Sequence, residues 1–413
     1  MGADRAPLTD YTDALDMVLA HAAQLGTESL PLRALHGRVL AEPVRTSHDM
    51  PFFDTSAMDG YALTAEDIEA ANRLGSIELA LVGTAAAGSD PTGVVLRPRQ
   101  TLQILTGAAV PDGVAAIVMQ EDVEVTSSTV RIAGPARAGQ NIRARGEEFR
   151  SGHEVAPAGV LVTPGVVAAI AASGQPGATV CRQPRIGFLV TGDELVTPGE
   201  PLSPGCIYDA NSFGVTASLM ATGFEPPVTV HVPDDPGRTR EALAELLDTC
   251  DVVITSGGVS VGELDAVKGA LSALGVATVL WGVAIKPGKP FYFGRATSRT
   301  PGPAVFGLPG NPVAAMVTFH ALVRPYLLRA IGLCGRPMVA RARLAAGLNK
   351  KPGRMEFVPC RVFDGVANPV TKRGSHMLGT LTTTNALVLF PKDLATLDAG
   401  AEVEVMSLEG RVV

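Results

Sequence analysis

Cysteine is scarce in this chain of 413 residues, which contains only five cysteines, no two of them closer than 25 residues. No CxxC pair occurs, so the sequence predicts neither a disulfide framework nor a cysteine-based zinc site. The seven histidines show no HExxH or similar spacing. A structural or catalytic zinc centre is therefore not expected.

Long runs of one charge sign or of apolar residues are also missing. The formal net charge is −7 and no long basic run occurs, which removes the usual footprint of nucleic-acid binding. The longest apolar stretch, 160–172, contains Thr163, Pro164 and Gly165 and is too short to span a bilayer. The N-terminal segment MGADRAPLTD is polar and acidic, unlike a secretory signal. We expect a cytoplasmic protein that binds neither membranes nor nucleic acid.

The residues that are present predict several domains, because 413 residues exceed what one hydrophobic core usually organises. Apolar spacing predicts an amphipathic helix over 11–25. Short apolar runs separated by Gly, Pro and Asp turns predict a β-rich region over about 46–145. A further helix is expected at 164–173, with Thr163 as its cap and Pro164 at its first position. Short strand patterns return from about residue 336.

Residues 185–331 alternate strand and helix patterns. The predicted strands are RIGFLV, PVTVHV, DVVIT, TVLWGVAI and AVFGL, and the predicted helices are SFGVTASLMATG, RTREALAELLDT and the segment 311–332, with Asn311 as its cap. This alternation predicts an α/β domain whose mostly parallel sheet is covered by helices on both faces.

Three of these strands end in unusual loops, and ligands of open α/β sheets bind beyond the carboxyl ends of the strands. Glycine lets backbone N–H groups approach an anion, so these loops are candidates for phosphate binding, although any single one could be an ordinary turn. Neither GxxxxGK[ST] nor a helix-opening GxGxxG occurs, which argues against P-loop and nicotinamide enzymes. The candidate residues are Thr191, Gly192 and Glu194 in the first loop, Ser256, Gly257, Gly258 and Ser260 in the second, and Pro309 and Gly310 in the third.

Cations and further acids lie in three other segments. In KPGKP the prolines at 287 and 290 stiffen the segment and fix where Lys286 and Lys289 point, which favours a phosphate clamp over a solvated turn. MPFFDTSAMDGYA carries Asp59, and NIRARGEEF carries Glu148. Composition alone describes NIRARGEEF equally well as an exposed charge run.

Six motifs occur in the order found in one family. SAMDGYA, NIRARGEE, TGDEL, TSGGVSVGELD, KPGKP and GLPGNP resemble the motifs of the MoeA family of molybdopterin molybdenumtransferases, to which the C-terminal domain of gephyrin-type proteins belongs. The resemblance covers essentially the whole chain. It implies an elongated, multidomain subunit that forms a homodimer, with its site between domains of two protomers.

The resemblance also implies a domain plan. We expect a helical or linker domain from 1–45 and 146–180, a β-rich inserted domain over 46–145, an α/β molybdopterin-binding domain over 181–332 and a C-terminal β-barrel-like domain over 333–413. The α/β domain is similar to that of molybdopterin adenylyltransferases.

The implied reaction inserts molybdate into adenylylated molybdopterin and releases AMP and molybdenum cofactor, with Mg²⁺ as the assisting cation. A molybdopterin adenylyltransferase and molybdoenzyme apoproteins are the implied partners. Carboxylates beside a phosphate loop suit a bound magnesium ion. The implied catalytic residues are Asp59, Glu148, Glu194, Asp235, Asp265, Lys286 and Lys289. The implied metal-binding residues are Glu194, Asp235 and Asp265. Arg354 and Ser375 match positions near the pterin or molybdate and join the strand-end loops as substrate-binding residues.

Two positions depart from the family pattern, and two other functions stay open. Glu148 stands where the family often has Asp, and Gly282 stands where homologues commonly carry a basic residue. A molybdopterin adenylyltransferase would share the α/β domain but would not need the flanking β domains. A non-catalytic dimeric carrier or scaffold would keep the fold without turnover; the retained acids Asp59, Glu194, Asp235 and Asp265 argue against it.

Overall fold

The computed structural model describes residues 8–91, 93–257, 264–371 and 374–408, without the side chains of 264–266. The chain forms two compact units. The larger unit contains Met1–Glu28, Gly37–Ala41 and Thr179–Val413, and the smaller unit contains Ser29–His36 and Glu42–Ala178. Among the described residues, no helix is both long enough and apolar enough to cross a bilayer.

The smaller unit is built on a six-stranded sheet, which confirms the expected β-rich region. Its strands, in spatial order, are Ala116–Met119, Gly60–Leu63, Gln100–Ile104, Ser76–Ala85, Thr129–Ala133 and Val123–Val125. All pairs are antiparallel except Ser76–Ala85 with Gln100–Ile104. Tyr61, Leu79 and Ile132 lie in its core. Shorter strands form two pairs, Val44–Arg45 with Glu154–Ala156 and Thr55–Ser56 with Ile142–Arg143.

Two helices of the smaller unit begin at a threonine cap. The expected helix is confirmed as Pro164–Ala172, where Thr163 Oγ1 accepts a hydrogen bond from Val166 N. The helix Ala65–Leu74 was not predicted, although Thr64 caps it through Asp67 N. This helix was missed because it lies within a stretch that was assigned to strands, although its capping threonine is visible in the sequence. The 3₁₀ segments Leu32–Ala34 and Gln120–Asp122 complete this unit.

The α/β domain of the larger unit contains a six-stranded sheet. Its strands, in spatial order, are Val228–Val232, Ile186–Thr191, Val252–Ser256, Ala304–Leu308, Tyr292–Ala296 and Val276–Trp281. The first four are parallel, and Tyr292–Ala296 is antiparallel to both of its neighbours. The sheet is therefore mostly parallel, as expected. The predicted strand TVLWGVAI is wrong as one element, because the strand ends at Trp281 and Gly282 follows with φ +75°.

Helices follow the parallel strands. They are Asn211–Ala221, Pro236–Thr249, Leu264–Ala273 and the continuous run Pro312–Thr318, Phe319–Val323 (a π-helix) and Arg324–Ala330. The first helix of the chain, Tyr11–Ala20, is shorter than expected and buries Leu15 and Val18. Asn311 precedes Pro312 as predicted, but its side chain makes no capping hydrogen bond. Leu264–Ala273 was not predicted.

The C-terminal region closes into a barrel, which confirms the barrel-like expectation. The strands run in the order Met355–Phe363, Val366–Pro369, Val339–Leu344, Glu402–Ser407 and Ala386–Phe390, and the last pairs again with the first. Val358, Val388 and Val405 fill the interior. The short pair Leu348–Asn349 with Thr396–Leu397 and the 3₁₀ segment Leu378–Thr383 flank the barrel.

One ion pair ties Arg182 to the start of a central strand of the α/β sheet. Arg182 Nη1 and Nη2 donate to the two carboxylate oxygens of Asp251 at 2.9 and 3.1 Å, and Arg185 N donates to Oδ2 at 2.9 Å. Burial alone would raise the pKa of Asp251, but the Arg182 and Arg185 hydrogen bonds outweigh it and hold the pKa below its ordinary value of 3.8. The stabilisation is therefore complete above pH 3.8 and is lost as the pH falls through the lower folded-state pKa.

We expect Asp251→Asn to lower the free energy of unfolding by about 1–2 kcal/mol at pH 7, as for a charge-assisted pair that is partly screened by solvent. The difference from the parent protein should shrink as the pH falls below 3.8 and through the lower folded-state pKa, because the parent carboxylate becomes protonated over that range. Denaturant unfolding at pH 7 and pH 3 measures both values, with the exposed Asp248→Asn as control. An equal loss at both pH values would contradict the ion-pair explanation.

Candidate active site

Three loops meet at one edge of the α/β sheet. The strands Ile186–Thr191, Val252–Ser256 and Ala304–Leu308 are adjacent and parallel, and Ser256 lies in register with both Val190 and Leu308. Their carboxyl ends are therefore level. The structure brings Thr191, Gly192, Glu194, Ser256, Gly257, Pro309 and Gly310 to this edge. Gly258 and Ser260 lie outside the described residues.

The first two loops approach each other closely at Gly257. This residue has φ +92°, and a Cβ on it would lie 2.3 Å from the carbonyl oxygen of Thr191. Only glycine fits there without displacing the neighbouring backbone. Gly192 has φ +147°, and the Glu194 carboxylate folds back over it, since a Cβ on Gly192 would lie 2.6 Å from Glu194 Oε2.

The acidic residues of two neighbouring loops are linked through backbone hydrogen bonds. Asp193 N donates to Asp234 Oδ2 at 3.3 Å, and Asp234 N donates to Asp193 Oδ1 at 3.1 Å. This reciprocal pair brings together the loops that carry Glu194 and Asp235. Asp235 Oδ1 also accepts from Arg238 N at 2.7 Å and caps the helix Pro236–Thr249.

These carboxylates supply only oxygen donors, the ligand type that magnesium prefers. Across the part of the chain that the structure describes, His, Cys, Asp and Glu form no cluster of three or more that could hold a metal. Asp265 lies in the helix Leu264–Ala273, and its side chain is outside that part. The donor set fits a magnesium ion that is held by one or two carboxylates and completed by water and substrate phosphates.

A cavity of about 290 Å³ lies between the third loop and the barrel. Three cations line it, namely Lys286, Lys289 and Arg354. Lys286 Nζ lies 3.4 Å from Glu356 Oε2, and the Glu356 side chain is only 8% exposed. The other lining residues that bear on chemistry are Pro309, Asn311 and Ser375. A compact cavity with three cations and a hydroxyl suits a tetrahedral oxyanion.

The KPGKP segment reaches this cavity because it leaves the α/β sheet. Ile285–Lys286 forms a strand that pairs with the barrel strand Met355–Phe363, with Lys286 opposite Glu356. Arg354 Nη1 donates to Ile285 O at 3.5 Å. Sequence reasoning missed this exchange between sheets, since the pairing joins segments about 70 residues apart.

Gly282 is not among the residues that line the cavity. It has φ +75°, its carbonyl accepts from Thr9 N at 3.3 Å, and a Cβ on it would lie 2.9 Å from Leu8 Cδ2. In this backbone conformation a residue with a side chain is strained. The missing basic residue at this position therefore coincides with a turn that favours glycine.

Asp59 of the smaller unit accepts two hydrogen bonds from Thr106. Its Oδ1 lies 2.7 Å from both the backbone N and Oγ1 of Thr106. These bonds, the backbone one first, hold the pKa of Asp59 below its ordinary value. Glu148 of the same unit is exposed, and its backbone N donates to Met50 O at 3.1 Å.

The segment 207–211 was not predicted to be part of the site, yet it contacts all three loops. Its strand Ile207–Tyr208 pairs with Leu195–Val196 beyond the first loop. The buried Asp209 accepts a hydrogen bond at 3.0 Å from Ser212 N, in the first turn of the helix Asn211–Ala221. Asn211 Nδ2 donates to Ser256 Oγ at 2.8 Å and to Gly310 O at 2.9 Å. An Asp and an Asn at a helix start were the available sequence signal.

Comparisons with known proteins match three segments of the chain to domains of one family. The chain matches the MoeA N-terminal region (domain I and II) over 9–174, a probable molybdopterin binding domain over 187–329 and the MoeA C-terminal region (domain IV) over 341–408. It is 35% identical over 394 residues to a molybdopterin molybdenumtransferase of Nostoc sp., covering 94% of this chain and 90% of the relative. A molybdopterin molybdenumtransferase of Haemophilus influenzae is 35% identical over 389 residues, with 92% and 93% covered. The crystal structure of a molybdopterin biosynthesis MoeA protein from Pyrococcus horikoshii matches with a TM-score of 0.82 at 30% identity, covering 97% of this chain and 100% of that one.

Proposed function

The chain belongs to the MoeA family, a family of transferases in molybdenum cofactor biosynthesis, and we propose that its reaction inserts molybdate into adenylylated molybdopterin with magnesium-dependent release of AMP. The supporting observation is the position of the cationic cavity. Pro309 and Asn311 line that cavity and also belong to one of the three strand-end loops. A site for an oxyanion therefore adjoins a site for phosphates.

The strand-end loops are the proposed binding site for the anhydride of the substrate. Hydrolysis of the bond between its two phosphates consumes one water and yields AMP and molybdopterin. Gly192 and Gly257 carry no Cβ, so their backbone N–H groups can approach phosphate oxygens more closely than those of other residues. Glu194, Asp235 and Asp265 are the proposed residues that hold Mg²⁺. When bound, magnesium neutralises charge on the phosphate oxygens.

The cationic cavity is the proposed molybdate site. Replacement of one molybdate oxygen by the two sulfurs of the dithiolene releases one water. Molybdate must therefore be bound close to the dithiolene, in a site that is open enough for the water to leave. Lys286, Lys289 and Arg354 supply charge and hydrogen-bond donors, and Ser375 supplies a hydroxyl. The buried Glu356 beside Lys286 fixes the position of that ammonium group.

The test is to incubate the purified protein with adenylylated molybdopterin, Mg²⁺ and molybdate and to measure AMP and cofactor. We expect AMP release that needs both the protein and Mg²⁺. No AMP above a protein-free control would contradict the proposal. Pyrophosphate release from ATP and molybdopterin would indicate an adenylyltransferase instead, and tight binding without turnover would indicate a carrier.

We also propose that the protein is a homodimer, and an apolar surface of the larger unit supports this. Phe213 and Met220 are both 56% exposed and lie two turns apart on one face of the helix Asn211–Ala221. Ile207 and Tyr208 nearby in sequence are 57% and 46% exposed. A second copy of this chain can cover the same surface on both protomers, as a two-fold interface requires.

The double variant Phe213→Glu and Met220→Glu is expected to be monomeric by light scattering, because it would place four carboxylates in the two-fold interface. Val125→Glu, at a residue of the smaller unit that is 50% exposed, is the matched control and should stay dimeric. A double variant of unchanged mass would rule out this surface as the dimer interface.

A further inference from the structure

Asn211 joins two of the three strand-end loops and has no part in the proposed chemistry described above. Its Nδ2 donates to Ser256 Oγ at 2.8 Å and to Gly310 O at 2.9 Å. Ser256 ends one strand, and Gly310 follows the neighbouring strand Ala304–Leu308. One amide group therefore sets the separation of two loops that we assign to substrate phosphates.

The orientation of the Asn211 amide follows from its partners. Gly310 O can only accept a hydrogen bond, so the atom 2.9 Å away must be the NH₂ group and not the amide oxygen. Both NH₂ hydrogens are then used, one by each loop, and Ser256 Oγ acts as an acceptor. Among the described residues, no group accepts a hydrogen bond from the Ser256 hydroxyl. This hydroxyl can therefore donate to a bound ligand.

Among the residues that the structure describes, the other end of the Asn211 amide has no partner. Oδ1 is buried and makes no hydrogen bond to any residue that the structure describes. An unpaired buried acceptor is destabilising, because it has lost its hydrogen bonds to water without gaining others. Groups of this kind in native proteins need an explanation, such as a bound ligand or an ordered water.

Asparagines that serve only the fold look different in this chain. Asn385 accepts from Val362 N at 2.8 Å and donates to Val362 O at 3.0 Å, so both ends of its amide are paired. Asn72 does the same with the N–H and carbonyl of Ala136, at 3.0 Å each. Asn211 instead joins two loops at the candidate site and leaves one end open.

We propose that Asn211 is a positioning residue for the adenylylated substrate: it holds the Ser256 and Gly310 loops at the separation that the phosphates require. This inference rests on the proposed function. Its effect belongs to substrate binding, because Asn211 touches the loops and not the bond that breaks.

The test compares Asn211→Ala and Asn211→Asp with the parent enzyme. Asn211→Asp keeps the shape but has no NH₂, so an ionised carboxylate would face the carbonyl of Gly310. We expect the KM for adenylylated molybdopterin to rise at least tenfold in both variants, while kcat and the KM for molybdate change less than threefold. The dissociation constant of the product AMP, measured by calorimetry without turnover, should increase by a similar factor to the KM for adenylylated molybdopterin.

Asn385→Ala is the matched control, since it also removes two hydrogen bonds. Both bonds go to Val362, which lies near the opposite end of the strand Met355–Phe363 from the cavity residue Glu356. It should lower the melting temperature and leave both KM values unchanged. If the Asn211 variants behave like this control, the inference is wrong. If either fails to fold, Ser256→Ala removes one of the two bonds more mildly and should raise the same KM.

Turnover by the parent enzyme separates the two proposals. A parent enzyme that releases no AMP would overturn the proposed function. An active parent whose Asn211 variants keep the parent KM and the parent affinity for AMP would overturn only the positioning role.

Discussion

Arg354→Ala is expected to raise the molybdate concentration for half-maximal cofactor formation about a hundredfold. Arg354 is one of three cations that line the cavity, and Glu356 already offsets part of the charge of Lys286. Loss of a charge-assisted hydrogen-bond donor to a bound oxyanion costs about 3 kcal/mol, which corresponds to about a hundredfold in affinity. The KM for adenylylated molybdopterin should stay close to that of the parent.

Two further variants make this result specific. Arg354→Lys keeps the charge but not the planar fork of donors, so we expect an intermediate, roughly tenfold effect. Arg361→Ala removes an exposed arginine of the neighbouring barrel strand and should have no effect on molybdate dependence. A molybdate dependence of Arg354→Ala equal to that of Arg361→Ala would show that the oxyanion binds elsewhere.

Asp235→Asn is expected to reduce AMP release at least a hundredfold at millimolar Mg²⁺. Asparagine caps helices as well as aspartate does, so the bond from Arg238 N can be kept while the charge is removed. A neutral amide is a weaker magnesium ligand than a carboxylate, and the lost metal contact removes stabilisation of charge at the phosphates. The Mg²⁺ concentration for half-maximal rate should rise, and higher Mg²⁺ should partly restore the rate.

Asp235→Ala separates the capping role from the proposed metal role. It should lose the same activity and, in addition, about 1 kcal/mol of stability, because the N-cap is removed. Thermal unfolding without Mg²⁺ measures this difference between the two variants. If Asp235→Asn keeps the parent Mg²⁺ dependence, Asp235 serves only as a cap.

The prediction that three loops meet at one sheet edge was correct for a simple physical reason. Strands joined through helices run parallel, so their carboxyl ends lie on the same side. The strand patterns before Gly192, Gly257 and Pro309 were sufficient to identify that side. Local signals also placed the Thr163 cap and the helix Pro164–Ala172 correctly.

Several of the missed elements depend on a distant partner. The strand Tyr292–Ala296 pairs antiparallel with both of its neighbours, which the alternation of strands and helices did not predict. Ile285 was assigned to a strand of the α/β sheet, but the strand Ile285–Lys286 joins the barrel. The helices Ala65–Leu74 and Leu264–Ala273 were overlooked because the surrounding patterns were assigned to strands and loops.

Gly282 illustrates the same limit at one residue. Comparison with the family pattern identified the absent basic side chain, but not the backbone conformation at that position. In the structure, Gly282 has φ +75° and packs against Leu8. The three cations of the cavity come instead from KPGKP and from Arg354.

By itself, the sequence determined the family, the α/β and barrel-like classes and the loops at the sheet edge, since these depend on motif order and on local hydrophobic patterns. Only the tertiary structure decided that Lys286 faces Glu356, and that Asn211 joins Ser256 to Gly310. Those contacts link segments between 45 and 99 residues apart, and no local pattern specifies which distant backbone a side chain will meet. TSGGVSVGELD shows both parts: its glycines predict an anion site from the sequence alone, whereas the contact of its first serine with Asn211 appears only in the tertiary structure.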